Sequence, residues 1–258
     1  MAVSITNTKV TSGKVKALVY GRPGIGKTML ASTAPKPLII SAEAGLLSLA
    51  DHDIPVAEIS SMADLTDIYN YVKDDPDAQE FETIVLDSIS EIAEVILSAN
   101  KKTNKDPRAA YGQTNDEVAS LIRGFRDLKN FHVYFVAKEG KVVDDATGLT
   151  SYFPSMPGKT LTQSIGYFFD EVLVMRLGKT ESGASYRYLQ TAPDLQYEAK
   201  DRSGKLNMIT KPDLGVVFKK ILRKKVAAED STIKAEEISS DAVEDPGVEE
   251  PLVTEQEK

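Results

Sequence analysis

Gly21-Arg22-Pro23-Gly24-Ile25-Gly26-Lys27-Thr28, directly preceded by the apolar run Val15-Lys16-Ala17-Leu18-Val19-Tyr20, is the stretch that decides the fold. The octapeptide is a complete phosphate-binding loop of the form G-x-x-x-x-G-K-[ST]. Its glycines let successive backbone N–H groups turn inward around an anion, the lysine reaches the β- and γ-phosphates, and the threonine hydroxyl can ligate Mg²⁺. A side chain at Gly26 would collide with those phosphates. The residues that follow, Lys27-Thr28-Met29-Leu30-Ala31-Ser32, read as the start of a helix whose positive end faces the anion. Strand, loop and helix in this order imply a bound nucleoside triphosphate, held by residues 21–28 and Met29.

Working outward, a chain of 258 residues that is 41% hydrophobic suffices for one α/β domain with a real core. The formal charge of −8 is unevenly spread: residues 227–258 hold eleven Asp/Glu against Lys234 and Lys258, so this tail carries −9 and the rest sums to +1. Cysteine is absent, which excludes disulfides and thiolate metal sites. Two histidines, His52 and His132, cannot by themselves build a transition-metal site, and read as a surface turn and a strand start. With no run long enough for a membrane span and no signal-peptide h-region, a cytosolic protein with no membrane partner is expected.

The expected organisation is a flexible segment over residues 1–13, a core over 14–226 and an acidic disordered tail over 227–258. Within the core, Leu38–Ala42, Val56–Ile59, Thr83–Asp87, His132–Ala137, Glu171–Leu177 and Ser185–Thr191 read as strands. Helix spacing marks Met62–Val72, Ile89–Leu97, Glu117–Leu128 and a short stretch over Leu161–Phe169. Lys101–Arg108 reads as a basic loop, and Lys138–Gly158 as turns with short β-type runs. This alternation predicts a mainly parallel sheet flanked by helices, with β-rich additions towards the C-terminus.

Hydrolysis requires more than the loop: an acid associated with Mg²⁺ and a base for the attacking water. Asp87 closes the apolar run Ile84-Val85-Leu86 and should emerge at the carboxyl edge of the sheet, where ligands gather. There it would hold Mg²⁺ with Thr28; its other reading is an N-cap for the next helix, a task Ser88 can perform. Glu43 closes the preceding long strand at the same edge. It is placed either as a general base or as an exposed loop acid, and spacing alone does not separate the two.

Residues 14 to about 225 resemble the RecA recombinase core. The resemblance rests on the phosphate loop, on Ala42-Glu43-Ala44-Gly45-Leu46 after one strand, on Ile84-Val85-Leu86-Asp87-Ser88, and on the loop, helix and strand Val133–Ala137 that follow. It is narrowest with phage-encoded nucleotide-binding proteins, including the RecA-like single-strand annealing proteins of phage recombination. The resemblance implies ATP as the nucleotide, Glu43 as hydrolytic base and Asp87 as the Mg²⁺-associated acid. It implies a phage protein acting in the bacterial host cytoplasm, and a homo-oligomer, ring or filament, with composite ATP sites. Two DNA-contacting stretches are implied as well, about Lys101–Gly112 and Gly140–Gly158. Lys101, Lys102, Lys105, Arg108 and Lys141 carry charge suited to phosphates, while Tyr111, Tyr152 and Phe153 could stack on bases. Solvated polar loops are the plainer reading of both. A single-strand-binding protein or replication partner would fit the acidic tail, which otherwise reads as a solubilising extension.

Tyr197-Glu198-Ala199-Lys200-Asp201-Arg202 contains a Lys-x-Arg pair. In RecA-like rings and filaments such a pair reaches the neighbouring subunit's γ-phosphate, so Lys200 and Arg202 are implied as catalytic residues acting across an interface. A charged turn is the equal alternative. The sequence departs from the family where Ala137 is followed by Lys138 and Glu139 in place of a polar sensor. The reading reached is an ATP-hydrolysing protein that binds single-stranded DNA and promotes annealing or strand pairing. Its rivals are an ATP-driven helicase or translocase and a non-catalytic, nucleotide-gated DNA-binding protein.

Overall fold

The computed structural model describes residues 13–43 and 46–223. The expected flexible segment, apart from Gly13, and the acidic tail lie outside the described residues. In chain order the elements are β1 (Lys16–Gly21), α1 (Lys27–Ala31), β2 (Pro37–Ser41), β3 (Val56–Glu58), α2 (Met62–Asp74), β4 (Thr83–Asp87), α3 (Ile89–Thr103) and α4 (Pro107–Arg126). There follow β5 (His132–Val143), β6 (Thr150–Ser155), α5 (Lys159–Ser164), β7 (Glu171–Lys179), β8 (Ser185–Gln190), β9 (Lys200–Asp201), β10 (Ile209–Thr210) and α6 (Leu214–Leu222).

The strands form one sheet in the order β10-β8-β7-β1-β5-β4-β2-β3, with β6 added to β5 and β9 to β7. From β3 to β7 every neighbouring pair is parallel, whereas β6, β8, β9 and β10 pair antiparallel. The mainly parallel α/β core with β-rich additions is thus the expected fold class. Continuous apolar strands belong in such a sheet because helices cover both faces. Every residue of β1 and β4 is buried, and alternate side chains enter two separate cores. Leu18, Tyr20, Ile84 and Phe135 face α2–α5, whose Leu65, Ile92, Ile122 and Leu161 close that side. Ala17, Val19, Val85 and Tyr134 face α1 and α6, through Leu30, Val217 and Phe218.

Three stretches correct the sequence reading. Lys101 and Lys102 are not in a loop: they form the last turn of α3, where cations favour the helix dipole. Asn100 beneath them is buried, its amide donating to Thr114 Oγ1 at 3.0 Å and Glu117 Oε2 at 2.9 Å. Second, α4 begins ten residues ahead of the expected Glu117, at Pro107, because Asp106 caps it and proline suits its first position. Arg108 and Tyr111 are therefore helical, and only a short turn containing Lys105 separates α3 from α4. Third, β5 runs past Ala137 to Val143 and returns as β6, so most of Lys138–Gly158 is a β-hairpin. Its turn is held by Asp144 Oδ1, which accepts from the backbone N–H groups of Ala146 and Thr147.

Helix α6 was not anticipated. Its signal is Asp213, which caps Val216 N at 3.0 Å, followed by buried Leu214, Val217 and Phe218 at helical spacing. Thr33 ties this helix to the turn after α1: its hydroxyl accepts from Leu214 N at 2.8 Å, and its carbonyl accepts from Gly215 N at 3.1 Å. His132, the expected strand start, stacks on Phe218 with ring centroids 4.5 Å apart and accepts Val15 N–H at Nδ1. Burial pushes it down to about 4, so it is neutral at pH 7.

At the amino edge of the sheet, Glu171 on β7 is only 1% exposed, and its Oε2 accepts no hydrogen bond. Burial, and then the adjacent Asp201 carboxylate on β9, push its pKa up to about 8. Glu171 is therefore a protonated acid at neutral pH. Because its folded pKa lies above the unfolded value, its stabilisation is complete below about pH 4.5 and is lost as pH rises towards 8. Glu171→Gln keeps the shape and removes the titration. Its melting temperature, measured from pH 5 to 8.5 beside the wild type, is expected to stay level relative to a wild type that loses a few kcal/mol; parallel curves would contradict this.

Candidate active site

The loop after β1 turns over the carboxyl edge of the sheet. Gly24 and Gly26 adopt φ of +71° and +107°, conformations that side chains disfavour. Gly21 has a different reason to be glycine: a Cβ there would lie 2.7 Å from the Met175 carbonyl oxygen on the neighbouring β7. Lys27 Nζ is folded inside the loop, donating to the carbonyls of Gly21 at 2.7 Å and Arg22 at 3.1 Å. Burial lowers its pKa, against which the carboxylates of Asp87, Glu43 and Glu139 act to keep the charge. Below the loop, the fully buried Tyr134 donates its hydroxyl to the Lys27 carbonyl at 2.9 Å, fixing the loop to β5.

Asp87 lies at the end of β4, 4% exposed, level with Ser41 at the end of β2. Burial raises its pKa most; the neighbouring Thr28 hydroxyl and Lys27 oppose the rise. Ser88, not Asp87, caps α3, its hydroxyl accepting from Glu91 N at 3.2 Å. That leaves the Asp87 carboxylate to the cavity. The hydroxyl proton of Ser88 goes to Glu43 Oε1 at 2.6 Å, and Ser41 Oγ donates to the Glu43 carbonyl at 2.6 Å. Ser88 thus holds the exposed Glu43 carboxylate at the mouth of the site, and Ser41 holds the Glu43 backbone.

These groups line one cavity of about 770 Å³ that contains the loop, Glu43 and Asp87 together. Thr28 and Asp87 bring a hydroxyl and a carboxylate oxygen side by side. A hard cation that keeps several waters and binds through one or two protein oxygens plus phosphates fits such a pair, which makes Mg²⁺ the suitable metal.

The remaining sequence candidates lie elsewhere. Lys200 and Arg202 are at the amino edge of the sheet, since Lys200 pairs with Val172 and Ala17 with Glu171. Lys200 donates to the Gly166 carbonyl at 2.7 Å and Arg202 pairs with Asp170 at 2.7 Å. Neither enters this chain's own cavity, so a role on γ-phosphate would be exerted on a neighbour's. Tyr152 is half-buried and stacked on Tyr197 with centroids 4.5 Å apart, and Arg176 covers the Tyr197 ring at 3.9 Å. Phe153 packs so closely on Gly140 that a Cβ there would lie 2.7 Å from its ring. Tyr152 is thus engaged with Tyr197, and Phe153 with its cross-strand partner Gly140 within the hairpin. Lys101, Lys102, Lys105, Arg108 and Lys141 are exposed, and Lys101 sits over the Tyr111 ring at 5.2 Å.

The sequence singled out Lys138 and Glu139 in place of a polar sensor and missed Arg187. Lys138, at the position of the expected sensor, is committed to Glu91 on α3. Glu139 lines the cavity, its pKa raised by burial. Arg187, on the antiparallel β8, also reaches the loop.

A family model described as an AAA domain matches residues 13–203, most of the chain and all of the cavity's acids and loop. The chain belongs to this AAA-domain family. It is a P-loop nucleotide-binding ATPase domain, and the cavity around the phosphate loop is the candidate site for its nucleotide. Comparison with curated proteins returns no match. Among solved structures, a KaiC-like protein from the hyperthermophilic archaeon Pyrococcus horikoshii aligns at 14% identity and a TM-score of 0.38, over 68% of this chain and 76% of that one. Among the described residues of the AAA domain and its extensions, no helix is long and apolar enough to cross a membrane.

Proposed function

We propose that this ATPase hydrolyses ATP with Mg²⁺, binds single-stranded DNA, is stimulated by it, and promotes annealing or strand pairing in phage recombination as a homo-oligomer. Lys27 and the loop N–H groups bind and orient the phosphates. Glu43, held by Ser88 and Ser41, accepts the proton of the attacking water. Thr28 and Asp87 would hold Mg²⁺, which when bound supplies positive charge beside the phosphates. In an oligomer, Lys200 and Arg202 act on the neighbouring site once the Arg202–Asp170 pair opens.

The observation that carries the DNA part of this reading is a juxtaposition. Strand β5 runs without a break from Glu139 in the nucleotide cavity to Lys141 and the hairpin tip. Just after that hairpin, Gly158 lies against Tyr111 of α4, a Cβ there being 3.3 Å from the ring. The basic turn of Lys101, Lys102, Lys105 and Arg108 adjoins that tyrosine. The hairpin that leaves the nucleotide cavity along β5 thus returns through β6 to a segment packed on the cationic surface where phosphates would bind, a route by which the nucleotide state can bias DNA affinity.

The test is ATP hydrolysis with and without single-stranded DNA, for the wild type and for a variant with all four basic-turn residues replaced by Ala. Stimulation is expected in the wild type and its loss in the variant. The slope of log affinity for DNA against log salt is expected to fall by about 3, the contribution of four phosphate contacts on a single strand. A DNA-indifferent rate in the wild type would remove DNA from the proposed function.

A further inference from the structure

We propose that Arg187 is a phosphate-contacting residue supplied to the nucleotide site by the chain's own β7–β8 hairpin. The inference rests on the reading of the cavity as an ATP site. Its first support is register. Val174 of β7 lies beside Tyr20 of β1, so Met175 is level with Gly21 at the start of the loop. Leu177 pairs with Arg187, which places the arginine two residues higher, above the edge over which the loop curves.

Distance supplies the second support. A Cβ on Gly26 would lie 3.3 Å from Arg187 Nε and 3.5 Å from Arg187 Cδ. The side chain therefore lies directly against the glycine that precedes Lys27. It borders the same cavity as Lys27, Thr28 and Asp87. Sheet order puts it on the opposite flank from the acids: β8 and β7 on one side of β1, β5, β4 and β2 on the other.

Charge supplies the third. Among the described residues Lys138 is paired with Glu91, Arg176 with Asp194 and Arg202 with Asp170. Arg187 takes part in no ion pair or side-chain hydrogen bond in that set, although Arg176, one rung down the same hairpin, is tied to Gln190 and Asp194. An exposed guanidinium held against a phosphate loop without a carboxylate partner is matched to an anion. Its planar fork suits bidentate contact with phosphate oxygens.

Arginine contacts to transferring phosphates, whether from the same chain or a neighbour, stabilise charge that the loop and metal leave uncovered. Glu43 and the water approach from one flank while Arg187 steadies the phosphates from the other. This contact does not depend on oligomer formation, unlike that proposed for Lys200 and Arg202.

The experiment titrates a fluorescent non-hydrolysable ATP analogue, and separately measures kcat and KM for ATP, in the wild type, Arg187→Ala, Arg187→Lys and Lys27→Ala. Arg187→Ala is expected to weaken analogue binding or lower kcat/KM by about 10- to 100-fold, the scale of one or two hydrogen bonds to a charged group. Arg187→Lys is expected to recover part of the loss, because it restores charge without the fork. Unchanged binding and turnover in Arg187→Ala, with the wild type active and Lys27→Ala inactive, would overturn the proposal and leave the nucleotide reading intact. A wild type that binds no nucleotide would overturn both. Melting temperatures of the ligand-free variants control for folding: a loss in Arg187→Ala that tracks a lowered melting temperature and is not eased by lysine would count as structural and against the proposal.

Discussion

Replacing Glu43 by Gln is expected to lower ATP turnover by about 10²- to 10⁴-fold, the usual contribution of a general base, while nucleotide affinity stays within a few-fold of wild type. Affinity should persist because Glu43 stands apart from the loop, at the mouth of the cavity. Geometry should persist too: the amide oxygen of Gln can still accept the Ser88 hydroxyl that now reaches Oε1 at 2.6 Å. Only the capacity to take a proton is lost. Single-turnover phosphate release and analogue binding, measured on the same preparation, separate the two effects. Full turnover in Glu43→Gln would shift attention to Glu139, the other cavity carboxylate that is not beside Thr28.

Lys27→Ala is expected to act one step earlier, on binding itself. Nucleotide at about a hundred times its Kd should stabilise the wild type by about 2.7 kcal/mol. Most of that thermal shift should vanish in the variant, since a charge-assisted contact to phosphate is worth about 1.5–3 kcal/mol. The ligand-free variant should fold normally: Lys27 is half-buried, and the bonds it loses are to two loop carbonyls, while Tyr134 continues to hold the loop from below. Melting with and without Mg²⁺-ATP is the measurement. An undiminished shift would mean that nucleotide binds somewhere other than this loop.

The loop was legible because its chemistry dictates residue type at each position: two glycines in left-handed conformations, one glycine pressed by a neighbouring strand, one lysine and one hydroxyl. Asp87 and Glu43 were legible as ends of apolar strands. What the sequence does not show is that the Ser88 hydroxyl serves both neighbours: its oxygen caps α3 by accepting from Glu91 N–H, and its proton goes to Glu43 Oε1. The basic stretch misled because its first two lysines, Lys101 and Lys102, end a helix whose inward Asn100 looks no different in sequence. Tyr152 and Phe153 read as free rings because the sequence does not reveal that Tyr152 meets Tyr197 or that β6 pairs Phe153 with Gly140. Arg187 was invisible for a related reason: its relation to Gly26 depends on the register of β8 on β7 and of β7 on β1, the latter joining residues more than a hundred apart in the chain. Glu171 is a further case, a carboxyl whose protonation depends first on its burial and then on Asp201 arriving from another strand.

Release of inorganic phosphate from Mg²⁺-ATP by the wild type, against Lys27→Ala as the blank and with Glu43→Gln alongside, tests the central claim most directly. The claim is that the cavity at the carboxyl edge is a hydrolytic nucleotide site. Steady release by the wild type, none above background from Lys27→Ala, and a large loss in Glu43→Gln despite retained binding are the predicted results. A wild type that binds ATP in this cavity yet releases no phosphate, with or without single-stranded DNA, would contradict it.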